Sequence, residues 1–280
     1  MDPLPSLHDD GLVTPVAGDW GEDKYQLVKC YASLFATAMK NKWECLVYID
    51  LFAGAGRSRF VDTGKIVPAS PLVALDIPER FTKYIFCEKD DLKLRALEQR
   101  VSAEFPTLDV SYVLGDCNVN VDKIIALIPA FSRSYKVLTF CFVDPYNLAS
   151  LSFATLERLS RNRLIDFLVL IASGMDANRN RDLYINATNT ALTSFLGTDT
   201  WRSQWPQLNK NFGDFVADQF GSAMARLEYI YQGLPSLQLI RSTDKKLALY
   251  HLGVFSKHAR GAEFWQKCRQ ATNPQRPLFS

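Results

Sequence analysis

Histidine is scarce in this sequence, with three in 280 residues, and none of the six cysteines stands in a CxxC pair. The close cysteine and histidine spacings of zinc sites and dithiol redox centres are therefore excluded. Cys45, Cys87 and Cys141 sit in or beside apolar runs. The expectation for all six, Cys30, Cys117 and Cys268 included, is reduced and mostly buried thiols in a cytosolic protein. No apolar run approaches the ~20 residues needed to span a bilayer. The opening MDPLPSLHDD is polar with two prolines, so neither a membrane segment nor a secretion leader is expected. Charge of one sign is missing as well: 32 basic against 30 acidic residues leave a net +2. That gives no bulk field for non-specific nucleic-acid binding and allows only a local basic patch. A phosphate loop, GxxxxGK[ST], is absent. A full GxGxxG is absent too, because Arg59 stands where its third glycine belongs.

What the chain does have is a core. Hydrophobic residues make up 48% of it, enough for one large α/β domain. Residues 1–21 read as an N-terminal arm, rich in Pro, Asp and Gly and loose over 1–18. From about Glu22 to Trp43 the residues Val28, Tyr31, Phe35 and Met39 recur at helical spacing. Short, largely apolar runs follow at 46–49, 84–87, 110–114, 137–143 and 167–171. Runs apolar on both faces are what a parallel sheet needs when helices cover both sides. Helical patterns separate them, and Ser70-Pro71 reads as an N-cap with proline at the first helical position. Residues 176–226 break the rhythm with short helical stretches. Two β-like segments then flank a polar turn, Ser242 to Lys246, as an antiparallel hairpin, and a last helix covers about 261–270. The expected fold is a Rossmann-like, doubly wound, mostly parallel sheet over 22–280. It carries an edge hairpin and a helical insertion before the last strands.

The sharpest feature is LVYIDLFAGAGRSR at 46–59. A buried strand delivers Asp50, then Phe52, Gly54 and Gly56, and the glycines permit a tight turn with a ligand close to the backbone. The second run ends in Glu88, placed to accept hydrogen bonds from ribose hydroxyls. The third ends in Asp116-Cys117-Asn118, at the adenine end. The fourth ends in Asp144-Pro145-Tyr146-Asn147. All four tips share the carboxyl edge of one sheet, where open α/β sheets bind ligands. Lys24 and Tyr25 open the first helix. Lys24 is read either as a contact to a cofactor carboxylate or as a helix-surface lysine. Lys257 and His258 end an antiparallel last strand on the far side of the sheet and receive no role. Trp265 is read as core.

Asp50-x-Phe52-x-Gly54-x-Gly56 resembles the first motif of class I S-adenosylmethionine methyltransferases, with Glu88 and Asp116 where that superfamily holds ribose and adenine. Within it, the chain resembles the bacterial three-Cys-motif partner (TcmP) family through DWGEDKYQLVKCY at 19–31, YIDLFAGAGRS at 48–58, SPLVALD at 70–76, FVDPYNL at 142–148 and YHLGVFSKHARGAEFWQK at 250–267. The resemblance implies S-adenosylmethionine as cofactor, a cysteine-motif partner protein and a cytoplasmic methyltransferase. It supplies no substrate. Residues 57–69 depart from the superfamily pattern by intervening before the helix at Ser70, and a flap over the site is one outcome. Asp144-Pro145-Tyr146 resembles the Asp-Pro-Pro-Tyr motif of amino-group methyltransferases, one proline short. That motif implies methyl transfer to a nitrogen, with nucleic acid a possible acceptor. No Pro-Cys dipeptide occurs, which removes the nucleophile that cytosine-C5 chemistry needs. Two other readings stand beside this one: a catalytically inactive methyltransferase-like partner of a three-Cys-motif protein, and a metal-dependent nucleic-acid-processing enzyme using the strand-tip carboxylates, although no metal site is assigned.

Overall fold

The computed structural model describes residues 3–205, 210–242 and 245–272. In chain order they form β1 (Val16–Ala17), α1 (Gly21–Met39), β2 (Cys45–Asp50), β3 (Arg57–Phe60), β4 (Ile66–Pro68), α2 (Ser70–Leu75), β5 (Lys83–Glu88), α3 (Asp91–Glu104), β6 (Val110–Leu114), α4 (Val121–Leu127) and β7 (Val137–Val143). There follow α5 (Phe153–Ser160), β8 (Ile165–Ile171), a π-type turn over Ser173–Asn178, α6 (Arg181–Ile185), α7 (Ala191–Leu196), α8 (Trp201–Gln204), α9 (Phe212–Arg226), β9 (Gln238–Arg241), β10 (Ala248–Phe255) and α10 (Ala259–Thr272).

Seven strands make the main sheet in the order β6-β5-β2-β7-β8-β10-β9. The first five are parallel; β10 runs antiparallel to both β8 and β9. This is the doubly wound, Rossmann-like sheet with an antiparallel edge hairpin that the apolar runs imply. Helices α1, α2 and α10 pack together on one face, while α4, α5, α7 and α9 form a second contacting group. Every residue of β2 is therefore buried, the physical reason its sequence is apolar without alternation. An aromatic cluster of Tyr31, Phe35, Tyr48, Phe81 and Phe140 fills the first face, with Tyr31 and Phe140 ring centroids 4.9 Å apart. Asp90 caps α3 by accepting from the Leu92 and Lys93 amides at 2.9 and 3.2 Å.

Several expectations need correction. The arm is not loose. Leu4 is buried in a small apolar cluster with Phe60 and Val67, the Leu7 amide donates to the Ile66 carbonyl, and β1 pairs in parallel with β3. The intervening residues 57–69 hold the β3–β4 hairpin, so arm and hairpin form a second, three-stranded sheet. Ser70 is the first residue of α2 rather than its cap; extended Ala69 precedes it. The run at 110–114 is an edge strand, and of its five residues only Val113 is buried. Cys30 and Cys268 are joined in a disulfide, because α1 and α10 lie side by side and bring their Cα atoms within 5.7 Å across 238 residues of sequence. The other four cysteines are free and buried. Thr243 and Asp244 of the predicted hairpin turn lie outside the described residues. Trp265 is core, its indole donating to the Ser236 carbonyl at 2.9 Å. Among the described residues no helix is long and apolar enough to cross a membrane.

Candidate functional site

The strand order reverses between β2 and β7, and a cavity of about 680 Å3 opens there at the carboxyl edge. That is where doubly wound sheets bind ligands, and the volume is in the range of small-molecule sites. The glycine loop forms its floor. After β2 the Phe52 amide turns back onto Asp50 Oδ1 at 3.1 Å, the Ala53 amide donates to the Cys87 carbonyl, and the Gly54 amide donates to Glu88 Oε2 at 2.8 Å. Gly54 and Gly56 both have positive φ, +63° and +80°, the left-handed region open to glycine. Their surroundings differ. A Cβ on Gly54 would meet nothing within 4 Å, whereas one on Gly56 would come within 2.8 Å of Leu97 Cδ1 and 3.2 Å of Leu72 Cγ. Gly54 gives a ligand room to approach; Gly56 lets the loop seat on α2 and α3.

Glu88 is held at both oxygens, by the Gly54 amide and by the Asp90 amide at 2.9 Å. Each oxygen keeps a second lone pair for a hydroxyl. Asp116 Oδ1 accepts from the Asn118 amide and side chain, both at 2.8 Å. Asn118 reaches on to the Ser150 carbonyl, so the loops after β6 and β7 are tied together. Cys117 lines the cavity and is buried; burial pushes its thiol pKa up.

Asp144 accepts from Lys24 Nζ at 2.6 Å, with the two side chains 19% and 14% exposed. Burial works against the lysine's charge, but the facing Asp144 carboxylate holds its pKa well above the usual value. Lys24 lines the cavity rather than the outer surface of α1. Pro145 is buried, and Tyr146 is 85% exposed at the rim. The loop that carries them is pinned by buried Asp176, whose Oδ2 accepts from the Leu148 amide at 2.7 Å and the Tyr184 hydroxyl at 2.6 Å.

Phe52, Gly54, Glu88, Asp116, Cys117, Lys24 and the Asp144-Pro145-Tyr146 run all line this one cavity. Asp50 and Gly56 stand behind it. Asp50 is fully buried and its carboxyl is raised to about 7. Burial is the main cause, while the Ser70 hydroxyl and Phe52 amide work the other way and the Asp144 and Glu88 charges add to the rise. Its Oδ2 accepts no well-formed hydrogen bond among the described residues. Asp50 and Gly56 thus shape the loop from behind. Sequence reasoning missed Trp20, Ser70, Met175 and Tyr250, which also line the cavity. Tyr250 had a signal: an antiparallel last strand that ends far from the glycine loop must begin near it. Lys257 and His258 do lie away, beside Asp166 at the opposite edge.

One constellation mimics a nucleophile triad. Ser173 Oγ lies 2.8 Å from His251 Nδ1, and Asp214 lies 3.9 Å from His251 Nε2. The acid is beyond hydrogen-bonding distance, and Ser173 is 2% exposed and outside the cavity's described lining. The trio is a structural contact among the π-type turn, β10 and α9. Among the described residues no group of three or more His, Cys, Asp or Glu side chains is arranged to hold a metal ion.

No protein-family model and no curated protein matches the sequence. Solved structures resemble it at low identity. The O-methyltransferase TomG from Streptomyces achromogenes, involved in tomaymycin synthesis and crystallised with SAM, is 10% identical with a TM-score of 0.47, over 85% of this chain and 81% of its own. Protein LPL1258 from Legionella pneumophila is 12% identical with a TM-score of 0.46, over 90% and 93%. The chemistry of the site is accordingly read from this chain's own residues.

Proposed function

We propose that the protein is an S-adenosylmethionine-dependent methyltransferase that acts on an amine nitrogen. The observation that carries the reading is the glycine loop: Gly54, open on its Cβ side, has its amide fixed on Glu88 at the floor of a cavity that also receives Asp116 and Asp144. That arrangement fits an elongated nucleoside. Glu88 would take the ribose hydroxyls, Asp116 and Cys117 would flank the adenine, and Lys24 would face the amino-acid end. When bound, the cofactor supplies an electrophilic methyl group on a sulfonium. Asp144 would accept an N–H of the acceptor and turn the nitrogen lone pair toward that methyl, so that positioning supplies much of the rate. The exposed Tyr146 ring at the rim suits a flat, amine-bearing acceptor such as an unpaired base.

Calorimetric titration with S-adenosylmethionine and S-adenosylhomocysteine tests the cofactor assignment. Saturable 1:1 binding that is lost in Gly54→Val is expected. Asp144→Ala is expected to keep binding and stop turnover; turnover that survives would remove the role given to Asp144.

The 2.6 Å Lys24–Asp144 pair favours a second reading. The carboxylate meant for the acceptor already has a partner, as it would in a non-catalytic relative that serves a three-Cys-motif protein. Co-purification with such a partner, without cofactor affinity, would establish that reading. A metal-dependent nuclease has no carboxylate cluster to build on among the described residues.

A further inference from the structure

Arg100 lies in the middle of α3 and is 2% exposed. A buried guanidinium is costly unless each of its five N–H groups finds an acceptor, and here they do. Nε and Nη2 grip Asp10 bidentately, both at 2.8 Å. Nη1 donates to the Ala55 carbonyl at 2.6 Å and to the Val13 carbonyl at 3.0 Å. Nη2 also donates to Thr14 Oγ1 at 2.9 Å. Ala55 is the residue between the two positive-φ glycines of the cavity floor; Asp10, Val13 and Thr14 belong to the N-terminal arm. One cation therefore fastens the glycine loop to a segment more than forty residues earlier in the chain.

The next arm residues complete the site. Pro15 to Gly18 and Trp20 line the cavity, as do Arg57 and Ser58 of the hairpin strand to which β1 is paired. Arg57 is a second cation on Asp10, at 3.0 Å, and also donates to the His8 carbonyl. Two arginines on one carboxylate keep it ionised, with the Asp10 carboxyl held down at about 2, chiefly by the Arg100 hydrogen bond. Neither Arg100 nor Asp10 belongs to the cavity's described lining.

We infer that the Arg100–Asp10 pair positions the binding site, holding the N-terminal arm as a wall of the cavity and setting the glycine loop against it, so that arm docking and ligand affinity are coupled. In its ligand this inference rests on the reading of the cavity as a cofactor site. A lysine at 100 would not replace the fork, since its ammonium has three donors and no planar geometry to span Asp10 and Ala55.

The test uses the full chain carrying Asp10→Asn, with Arg95→Ala on the exposed side of the same helix as control. Hydrogen exchange read by mass spectrometry needs no ligand. Exchange is expected to speed up together in residues 12–18 and in residues 53–56, and to be unchanged in the control. Faster exchange in the arm alone would overturn the inference. The second readout is S-adenosylhomocysteine binding well below the melting temperature. Affinity is expected to fall about tenfold, mainly through faster dissociation, whereas a merely structural role would lower the melting temperature and leave Kd alone. If the unmodified protein fails to bind this probe, the cofactor reading falls, and the joint exchange result still decides the latch. Should Asp10→Asn not fold, Thr14→Val removes a single acceptor and is expected to shift exchange in the same two segments by less.

Discussion

The two edges of the main sheet are built from the same strands and hold their polar groups differently. At the carboxyl edge, Glu88, Asp116, Asp144 and Lys24 face a cavity, and backbone amides or short ion pairs fix them without using all of their hydrogen-bonding capacity. At the opposite edge a second cavity, of about 450 Å3, is walled by Phe35, Met39, Trp43 and Phe264. Its acid, Asp166, is raised to about 6 by its enclosure, yet its Oδ2 accepts the Tyr31 hydroxyl at 2.8 Å. A shifted carboxyl occurs at both ends, so a shift alone does not mark a site. What distinguishes the carboxyl edge is several polar groups with spare lone pairs around one space, next to a backbone that leaves room for a ligand.

The largest effect should come from within the glycine loop, where one residue faces protein and the other faces the cavity. Gly56→Ala combines a left-handed backbone cost with a methyl driven into Leu97, about 4 kcal/mol of lost stability in a urea titration. Gly54→Ala carries only the backbone cost, about 1 kcal/mol, and should be the more damaging of the two to the cofactor binding proposed above, measured in the folded protein. Equal losses of stability would dissolve the distinction between the two glycines. Lys24→Met comes next. It leaves the Asp144 carboxylate without its cation in a mostly buried setting, for about 3 kcal/mol, while Lys257→Met at the other edge, where the pair with Glu228 is exposed, should change stability by less than about 1 kcal/mol. A neutral Lys24→Met would mean that solvent reaches Asp144 freely.

The sheet was legible because burial on both faces demands unbroken apolar runs, and β2, β5, β7 and β8 have them. The same rule misled at 110–114, whose run looks alike although β6 is an edge strand with Leu114 nearly half exposed. The strand tips were legible for a related reason: a polar residue directly after a buried run lands on the sheet edge. The arm was not, since its structure depends on single residues with distant partners. Leu4 needs Phe60 and Val67, and Asp10 needs Arg100, ninety residues on. No periodicity carries that information. The Cys30–Cys268 pairing was hidden in the same way, by the side-by-side packing of the first and last helices. Asp50 was read as a ligand contact from its place at the end of the first buried run; in the structure it is fully buried and stands behind the cavity lining.

The last comparison concerns pH, where the effect accumulates gradually, and it separates the two edges by width of window. Asp50 and Asp166 both have folded-state pKa values above the ordinary carboxylate value of 3.8. Below about pH 4 both states of the protein hold the proton and the contribution to stability is complete. As pH rises, the unfolded chain gives up its proton first, so stability falls, by about 1 kcal/mol per pH unit for each group at the steepest. The fall ends near pH 6 for Asp166 and near pH 7 for Asp50. Asp166→Asn should therefore flatten the lower part of the profile only, and Asp50→Asn should flatten it up to neutrality, as followed by urea midpoints between pH 4 and 8. Asp144→Asn sharpens the test. Its negative charge is one cause of the rise at Asp50 and is no cause at Asp166. Removing it should draw the Asp50 window downward and leave the other edge unchanged. A shift at both would mean that the two carboxyls respond to a common change in the fold rather than to their own neighbours.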